Sequence, residues 1–429
     1  MTTTYLREPT GIRGAVPSLA GLCDNLFVSL SRSDQRRWGE AYVRGLVSLA
    51  GRKSIRRISE HIVGYPADQC LQQFVNQSPW QWEPVRLRLA QGVVARARSE
   101  AWVIDEVTFP KNGANSAGVA KQYVPTARRT INCQLAVTAC LTTEEGSVPV
   151  NWRLMLPPAW DREADRRARA HVPSTESHRP RWQYVLDMID EMVVSWDLTP
   201  PVILVDCQHD PHVKHLLRGL EDRGLRYAVR VSDDMTAVHS TAVHAPTAHS
   251  TGAHSPAAHS TGAHSTGARS TGPSERTIRV ADLARMASRG RVTLTLPSPV
   301  SGQLLRSHFV MVPIPGSNEP TPIVAGRYGR RTRHVVAQWP VGRARPRNLW
   351  LTNLNTARLP ELVRLLEFAG STRRELNRMN DEAGLQHFEG RSFRGWHHHV
   401  TLASVAHAYQ SIYRQPVNPS PARVDMSGF

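Results

Sequence analysis

The stretch Trp102-Val-Ile-Asp-Glu-Val-Thr-Phe-Pro-Lys-Asn-Gly113 decides the fold that we expect for this chain of 429 residues. Three apolar residues lead directly to the carboxylates of Asp105 and Glu106, and the run ends at Pro110 and Gly113. This pattern predicts a buried strand that delivers acid groups to the edge of a sheet. An aspartate that stands alone in such a place is more often a turn residue or a helix N-cap.

A second stretch, Pro201-Val-Ile-Leu-Val-Asp206, has the same form. Two strands that each lead to an aspartate, far apart in sequence, can bring their carboxylates together at one edge of a sheet. Carboxylate oxygens are suitable ligands for a hard cation such as Mg²⁺. Asp105 and Asp206 therefore predict part of a metal-dependent phosphoryl-transfer site.

The charge of the chain favours a polyanionic partner. Lys and Arg number 53 against 36 Asp and Glu, and the formal net charge of +17 is typical of proteins that bind nucleic acid. An arginine-rich composition without such a role is the alternative. Five cysteines without close pairing indicate neither a disulfide framework nor a zinc finger. Because the start lacks a basic segment followed by an apolar one, and no apolar run approaches about 20 residues, we expect no signal peptide, no membrane span and a cytoplasmic, nucleoid-associated protein.

Apolar residues at helical spacing predict a helical, DNA-binding N-terminal domain over residues 1–100. Within it, Arg52, Lys53, Arg56 and Arg57 precede or begin a short helix. Cations clustered on one helix face are the electrostatic footprint of contact with a phosphate backbone. A solvated helix face is the other interpretation of a short run of charge. The sequence leaves both open.

From residue 101 onward, strand-like and helix-like segments alternate, which predicts a mixed α/β layer. A tract in which histidine recurs every five residues from His239 to His264 has no apolar face and predicts a disordered insertion. Three strand-like runs then indicate a small β-rich insertion. The expected divisions are a helical domain (1–100), the first part of an α/β domain (101–235), the histidine repeat (236–275), the β-rich insertion (276–346), the last part of the α/β domain (347–412) and a flexible tail (413–429).

Five blocks of the sequence together resemble bacterial insertion-sequence transposases of the DDE class, over roughly residues 20 to 410. The first and last blocks are specific rather than generic. The blocks are Val103-Ile-Asp-Glu-Val-Thr-Phe-Pro-Lys-Asn-Gly-Ala-Asn-Ser-Ala-Gly-Val-Ala-Lys-Gln-Tyr123, Asn132-Cys-Gln-Leu-Ala-Val137, Val205-Asp206, Leu351-Thr-Asn-Leu354 and Gly384-Leu-Gln-His-Phe-Glu-Gly-Arg-Ser-Phe-Arg-Gly-Trp-His-His-His399.

This resemblance implies a ribonuclease-H-like mixed sheet with flanking helices, preceded by helices and interrupted by a β-rich insertion. It also implies cutting and joining of DNA strands at two Mg²⁺ or Mn²⁺ ions, with Asp105 and Asp206 as the first two metal ligands. The implied partners are the terminal repeats of the element, its target DNA and a second copy of the chain. In this family setting, the cations expected to contact phosphates, besides the four of the N-terminal domain, are Lys111, Lys121, Arg128 and Arg129.

The third acidic position departs from the family pattern. In relatives, one helix carries an Arg, then a Glu, then a Lys, and an ungapped register places Ala369, Arg373 and Asn380 at those positions. The nearest carboxylate, Glu375, comes two residues late, and at about 100° per residue it points to nearly the opposite face of the helix. An arginine at a metal site should weaken Mg²⁺ binding.

Three hypotheses follow from these blocks. The first is an active transposase with Asp105, Asp206 and Glu375 as its catalytic residues. The second is a catalytically defective or recruited derivative that binds DNA without cutting it. The third is a host enzyme that reuses the fold, because a fold alone does not fix a function.

The segment after the second strand allows one further metal hypothesis. Asp206, His209, His212 and His215 recur every three residues and are of the types that bind transition metals. The alternative, which we favour, is that these histidines are exposed residues of a turn and helix.

Overall fold

The computed structural model describes residues 17–240, 275–297, 304–314, 320–323, 327–330, 332–355 and 357–414. Most of the predicted histidine repeat (236–275) and of the predicted tail (413–429) therefore lies outside the described residues.

The N-terminal part of the protein is helical, as predicted. Its α-helices are α1 (Leu19–Leu26), α2 (Ser33–Ser48), α3 (Ile55–Ile58), α4 (Asp68–Asn76) and α5 (Glu83–Arg96). The hydroxyl of Ser18 accepts a 3.1 Å hydrogen bond from the amide of Gly21 and so caps α1. In α2, the buried residues Trp38, Tyr42 and Leu46 recur at four-residue spacing, which puts them on one face of the helix.

The remaining elements alternate between strands and helices. The strands are β1 (Ala101–Pro110), β2 (Ala120–Val124), β3 (Arg129–Thr142), β4 (Ser147–Met155), β5 (Ile203–Asp206), β6 (Tyr227–Val231), β7 (Thr236–Ser240), β8 (Glu275–Arg279), β9 (Val292–Pro297), β10 (Leu304–Pro313), β11 (Pro320–Ile323), β12 (Arg327–Arg330), β13 (His334–Pro340) and β14 (Asn348–Thr352). The helices are α6 (Ala164–Arg169), α7 (Arg181–Asp190), α8 (Val213–Asp222), α9 (Val280–Met286), α10 (Leu359–Glu382) and α11 (Phe393–Ala408).

One large mixed sheet organises these strands, in the order β2-β3-β1-β5-β6-β14-β13-β10-β9, with β4 paired to β3. The pairs β1–β5 and β5–β6 are parallel, and the other pairs in this sheet are antiparallel. The predicted mixed α/β architecture is therefore confirmed. Because β14 pairs with both β6 and β13, the strands β9, β10 and β13 extend the main sheet.

Helix α10 is longer than the sequence indicated. The sequence predicts a helix over residues 359–369, whereas α10 runs from Leu359 to Glu382. It buries Leu362, Leu366 and Thr372 and packs against β1 and β5. Its added turns bring Arg373 over the strands that carry the two aspartates.

Helix α11 connects the N-terminal helices to the sheet. All its residues except Arg394 are buried, and it packs against α2, α4 and α5 on one side and β4 on the other. A helix that is buried on all sides belongs to the interior of a protein. The triplet His397-His-His399 lies in this buried helix and therefore packs in the interior of the protein.

None of the helices in the described ranges is long and apolar enough to cross a membrane.

Candidate functional site

Asp105 and Asp206 lie side by side on neighbouring parallel strands. Ile104 of β1 is paired with Val205 of β5, so each aspartate is one residue beyond this pair. Both line the same cavity of about 710 Å³, beneath α10. The sequence had predicted Asp105 near a strand end, but β1 continues to Pro110 because it stays paired with β3. Asp105 is therefore internal to β1, at the level where the shorter strand β5 ends.

Arg373 of α10 occupies the position between the two carboxylates. Its Nε donates a 2.9 Å hydrogen bond to Oδ2 of Asp105, and its Nη2 donates a second hydrogen bond to Oδ1 of the same residue. The same Nη2 is 3.6 Å from Oδ2 of Asp206. This two-point contact between a guanidinium and a carboxylate is the strong, planar form of an ion pair.

A second guanidinium holds Asp206. Nη1 of Arg230, on β6, donates a 3.1 Å hydrogen bond to Oδ2 of Asp206, and Nη2 donates to the amide oxygen of Asn348 at 2.6 Å. The register explains this contact, because Asp206 and Arg230 are directly paired in the parallel strands β5 and β6.

A third guanidinium lies next to this pair. Nε of Arg181 is 3.5 Å from Oε2 of Glu106, and its Nη1 is 3.4 Å from Oδ2 of Asp210. The side chain of Arg181 is only 14% exposed. Each of the four carboxylates in this region, at positions 105, 106, 206 and 210, is therefore within ion-pair distance of an arginine.

Burial and charge act in opposite directions on these groups. Burial raises the pKa of Asp105, and the charge of Arg373 opposes that shift. Burial lowers the pKa of Arg373, but the charges of Asp105 and Asp206 outweigh it, so the net shift of that pKa is upward. Because both oxygens of Asp105 accept hydrogen bonds from Arg373, Asp105 is ionised in this arrangement.

The residues present do not fit a divalent metal ion. Oδ1 of Asp105 accepts hydrogen bonds from Nη2 of Arg373 and from the amide of Glu106, and Oδ2 accepts from Nε of Arg373, so the guanidinium occupies the space between Asp105 and Asp206. The positive charge of Arg373 also lies where a cation would have to bind. Across the described ranges, no group of three or more His, Cys, Asp and Glu residues could hold a metal ion.

Glu375 is not brought to the aspartate pair. Its carboxylate forms an ion pair with Arg378, one turn along α10, and its Oε2 is 3.7 Å from Nε2 of His407 on α11. Burial raises the pKa of Glu375. Glu375 is two residues after Arg373 in α10, so the two side chains point to different faces of the helix. Glu375 faces α11, whereas Arg373 faces the strands.

Two of the four cations predicted to contact phosphates in the N-terminal domain form ion pairs at the surface. Arg52 forms a 2.7 Å ion pair with Glu389, and Arg56 forms a 2.8 Å ion pair with Glu60. Both arginines keep most of their side chain exposed. Exposed pairs of this kind are weak, so neither contact prevents an encounter with a phosphate.

The other two N-terminal cations have structural contacts. Nη1 of Arg57 donates to the carbonyl oxygens of Ala50 and Arg52, at 2.8 and 2.7 Å. Lys53 is only 3% exposed, and its Nζ donates to the carbonyl oxygen of Leu49. The placement of Lys53 differs from the expected phosphate contact, because a buried ammonium group does not reach a polyanion.

Lys111 lines a polar groove of about 540 Å³ between the segment after β1 and the segment before α11. Arg52, His387 and Arg391 line the same groove. Nζ of Lys111 donates a 2.8 Å hydrogen bond to the carbonyl oxygen of Phe388, and burial lowers the pKa of Lys111 to about 8. Lys111 is therefore a partly buried cation with one bond to the protein.

The three remaining predicted cations, Lys121, Arg128 and Arg129, lie together on the exposed hairpin formed by β2 and β3. They are separate from the aspartate pair. His209, His212 and His215, the other metal hypothesis, are exposed.

Arg230 and Arg181 complete the charge network around Asp105 and Asp206. Neither arginine was predicted from the sequence to lie at this site. The only signal for Arg230 was a cation in the otherwise apolar strand Tyr227-Ala-Val-Arg-Val231. A charged residue inside a buried strand needs a partner, but the register that supplies Asp206 was not readable from the sequence.

A family model described as DDE superfamily endonuclease matches residues 25–289. This range is more than half of the chain and contains Asp105 and Asp206, and it ends before α10. The mixed sheet with flanking helices is consistent with the ribonuclease-H-like fold that the resemblance implied. No curated protein matches the chain.

Proposed function

The chain belongs to the DDE superfamily of endonucleases, and on that basis we propose that it binds DNA through a transposase-derived fold but does not cut it by metal-dependent phosphoryl transfer. We infer descent from an insertion-sequence transposase on the strength of the sequence blocks that resemble that group.

The contact between Arg373 and Asp105 carries this proposal. Metal-dependent phosphoryl transfer needs carboxylates that are free to hold cations on both sides of the reacting phosphate. Here the guanidinium bonds both oxygens of Asp105 and reaches to 3.6 Å from Asp206. Glu375, the nearest acid to the family's third position, is paired on another face of α10.

The charge of the protein supports retained DNA binding. The net charge of +17 persists although the metal-binding pattern is lost, and Lys121, Arg128 and Arg129 are exposed on one hairpin. Neutralisation of phosphates by such cations releases counterions and supplies most of the affinity of non-specific DNA binding.

An active transposase is the competing proposal, and the adjacency of Asp105 and Asp206 favours it. In that case Arg373 would have to leave the carboxylate pair when DNA binds, and another acid would have to approach. Such a change would break a two-point ion pair to a side chain that is 4% exposed, which is a substantial cost.

The two proposals differ in a direct assay with the full-length protein. The probes are a mixed-sequence duplex and a supercoiled plasmid that carries the DNA flanking the gene. We expect salt-dependent binding of both probes, equal affinity with EDTA and with millimolar Mn²⁺, and an uncut plasmid under both conditions. Mn²⁺-dependent nicking that is lost in Asp105→Ala and Asp206→Ala would establish the active enzyme instead. Absence of binding to either probe would disprove the DNA-binding function.

A further inference from the structure

The hairpin formed by β2, the turn Pro125–Ala127 and β3 carries three cations. Lys121, Arg128 and Arg129 are all exposed there. Within the part of the chain that the structure describes, none of the three takes part in an ion pair or a side-chain hydrogen bond. By contrast, the arginines around Asp105 and several of those in the N-terminal helices are paired.

An exposed aromatic side chain stands among these cations. Tyr123 is 62% exposed. It lies two residues after Lys121 in β2 and is paired with Thr130 of β3, so the side chains of 121, 123 and 130 share one face of the hairpin. Gln122 and Val124, the alternate residues of β2, point to the other face of the hairpin. Gln122 is half-buried and Val124 is buried, so this other face lies against the protein.

Tyr123 has no contact within the described protein that explains its position. The side chain of Tyr123 forms no hydrogen bond or ring contact with another described residue. Tyr65, another exposed tyrosine, is 50% exposed and accepts a 3.2 Å hydrogen bond from Arg37. A rigid ring left in water between unpaired cations is the arrangement that proteins use to stack on nucleobases while holding the flanking phosphates.

The backbone at the tip of the hairpin is unusual as well. Arg128 has φ 51° and ψ 31°, in the left-handed region that non-glycine residues seldom occupy. This conformation turns the chain from Ala127 into β3, and it places Arg128 and Arg129 next to each other at the exposed end of the hairpin.

We propose that this hairpin is a binding site for an unpaired segment of DNA, in which Tyr123 stacks on a nucleobase and Lys121 and Arg128 contact the flanking phosphates. This inference rests on the proposed DNA-binding function and adds a preference for unpaired bases. The site is distinct from the aspartate pair. Thr138 of β3 is paired with Asp105, and at about 3.4 Å per residue, Arg129 is roughly 30 Å from Thr138 along the strand.

The test uses the full-length protein and two fluorescein-labelled duplexes of equal length. One is fully paired, and the other contains a central run of unpaired thymines with one 2-aminopurine. The variants are Tyr123→Ala, Tyr123→Phe and, as a matched control at another exposed tyrosine, Tyr65→Ala. Circular dichroism and thermal unfolding verify that each variant folds.

We expect Tyr123→Ala to bind the unpaired probe about 5- to 150-fold more weakly than the wild type, which corresponds to the loss of one stacked base. Its affinity for the fully paired duplex should be unchanged, because the phosphate contacts remain. Tyr123→Phe and Tyr65→Ala should bind both probes like the wild type, and the quenching of 2-aminopurine should be lost only in Tyr123→Ala.

Equal affinity of Tyr123→Ala and wild type for the unpaired probe would overturn the inference while leaving the proposed DNA-binding function intact. Failure of the wild-type protein to bind even the paired duplex would remove the proposed function, and the inference with it. A change in sedimentation coefficient without a change in DNA affinity would assign Tyr123 to a contact with a second copy of the chain, which also contradicts the inference.

Discussion

Replacement of Arg373 by glutamine removes the cation between Asp105 and Asp206 and keeps a polar side chain of similar length. We expect two effects. The free energy of unfolding should fall, because a carboxylate that is 4% exposed loses its partner. The protein should also gain a response to divalent cations that the wild type lacks, because no positive charge then lies between the two neighbouring carboxylates.

The size of the first effect follows from the burial of the pair. Breaking a fully buried ion pair costs about 3–5 kcal/mol. The side chain of Arg373 is 37% exposed, so water compensates for part of its loss. Arg230 also keeps its contact with Asp206. We therefore expect a loss of about 2–3 kcal/mol, which is smaller than the loss for a fully buried pair.

The size of the second effect follows from mass action. A site with two carboxylates resembles weak calcium sites, with dissociation constants on the order of 10⁻⁴ to 10⁻³ M. At about 10 mM Mn²⁺, such a site stabilises the folded protein by about 1–3 kcal/mol. Mn²⁺ should therefore restore a large part of the stability that Arg373→Gln loses, and it should leave the wild type unchanged.

The assay is urea unfolding, followed by tryptophan fluorescence, with EDTA and with Mn²⁺. Arg378→Gln is the matched control, since it breaks an ion pair with Glu375 on the same helix, where the arginine side chain is 51% exposed. It should lose less than about 1 kcal/mol and show no response to Mn²⁺. In the double variant Arg373→Gln with Asp105→Asn, the Mn²⁺ response should disappear. Arg373 does not block a cation site if Mn²⁺ stabilises the wild type as much as Arg373→Gln, and it does not stabilise the fold if Arg373→Gln is as stable as the wild type.

Three further predictions concern the interior of the protein. His399 and His407 are buried, and burial lowers the pKa of each from 6.5 to about 4. Between these two pH values the unfolded chain binds protons that the folded protein does not, so the free energy of unfolding should fall by about 2 kcal/mol for each histidine between pH 7 and pH 5. Urea unfolding that gives the same free energy at both pH values would contradict this prediction. Arg86 is fully buried and donates to the Thr401 hydroxyl at 2.8 Å and to the carbonyl oxygen of Trp152 at 2.9 Å. Arg86→Ala leaves these buried acceptors unpaired, so its free energy of unfolding in urea should be about 3–5 kcal/mol lower than that of the wild type. A difference below about 1 kcal/mol would show that Arg86 does not stabilise the interior. The hydroxyl of Thr372 lies 2.7 Å from that of Ser147 and 3.1 Å from that of Thr142, and all three residues are buried. Thr372→Val should lower the melting temperature, because it removes about 1–2 kcal/mol from the free energy of unfolding. Thr372→Ser keeps the hydroxyl and should therefore retain most of the stability of the wild type.

The adjacency of Asp105 and Asp206 could be predicted from the sequence because both aspartates follow apolar runs that form adjacent strands. The run of residues after Asp105 was harder to interpret. The pattern placed the end of the run at Pro110, where β1 ends, but it did not show that Asp105 lies inside the strand, which β3 pairs along its whole length. Strand length is thus set by the neighbouring strand as well as by local composition.

The closing of the site by arginines could be predicted only in part. The ungapped register of the family pattern placed Arg373 at the position of the third acid. The angle of about 100° per residue along a helix then predicted that Glu375 points to a different face of α10. Arg230 could not be found in this way, because it meets Asp206 through the pairing of β5 with β6. The burial of Lys53 was also invisible to the sequence, because it depends on where the segment before α11 packs.

The pairing of β7 with β8 has a consequence for how the gene can change. These two strands hold residues 240 and 275 opposite each other. Both ends of the intervening chain are therefore held next to each other, in a two-stranded sheet that is separate from the main sheet. The cost of closing a chain between fixed ends grows only with the logarithm of its length. Copies of the five-residue histidine unit can therefore be gained or lost during replication without shifting any strand, and we expect the repeat number to differ between strains that keep the rest of the protein unaltered.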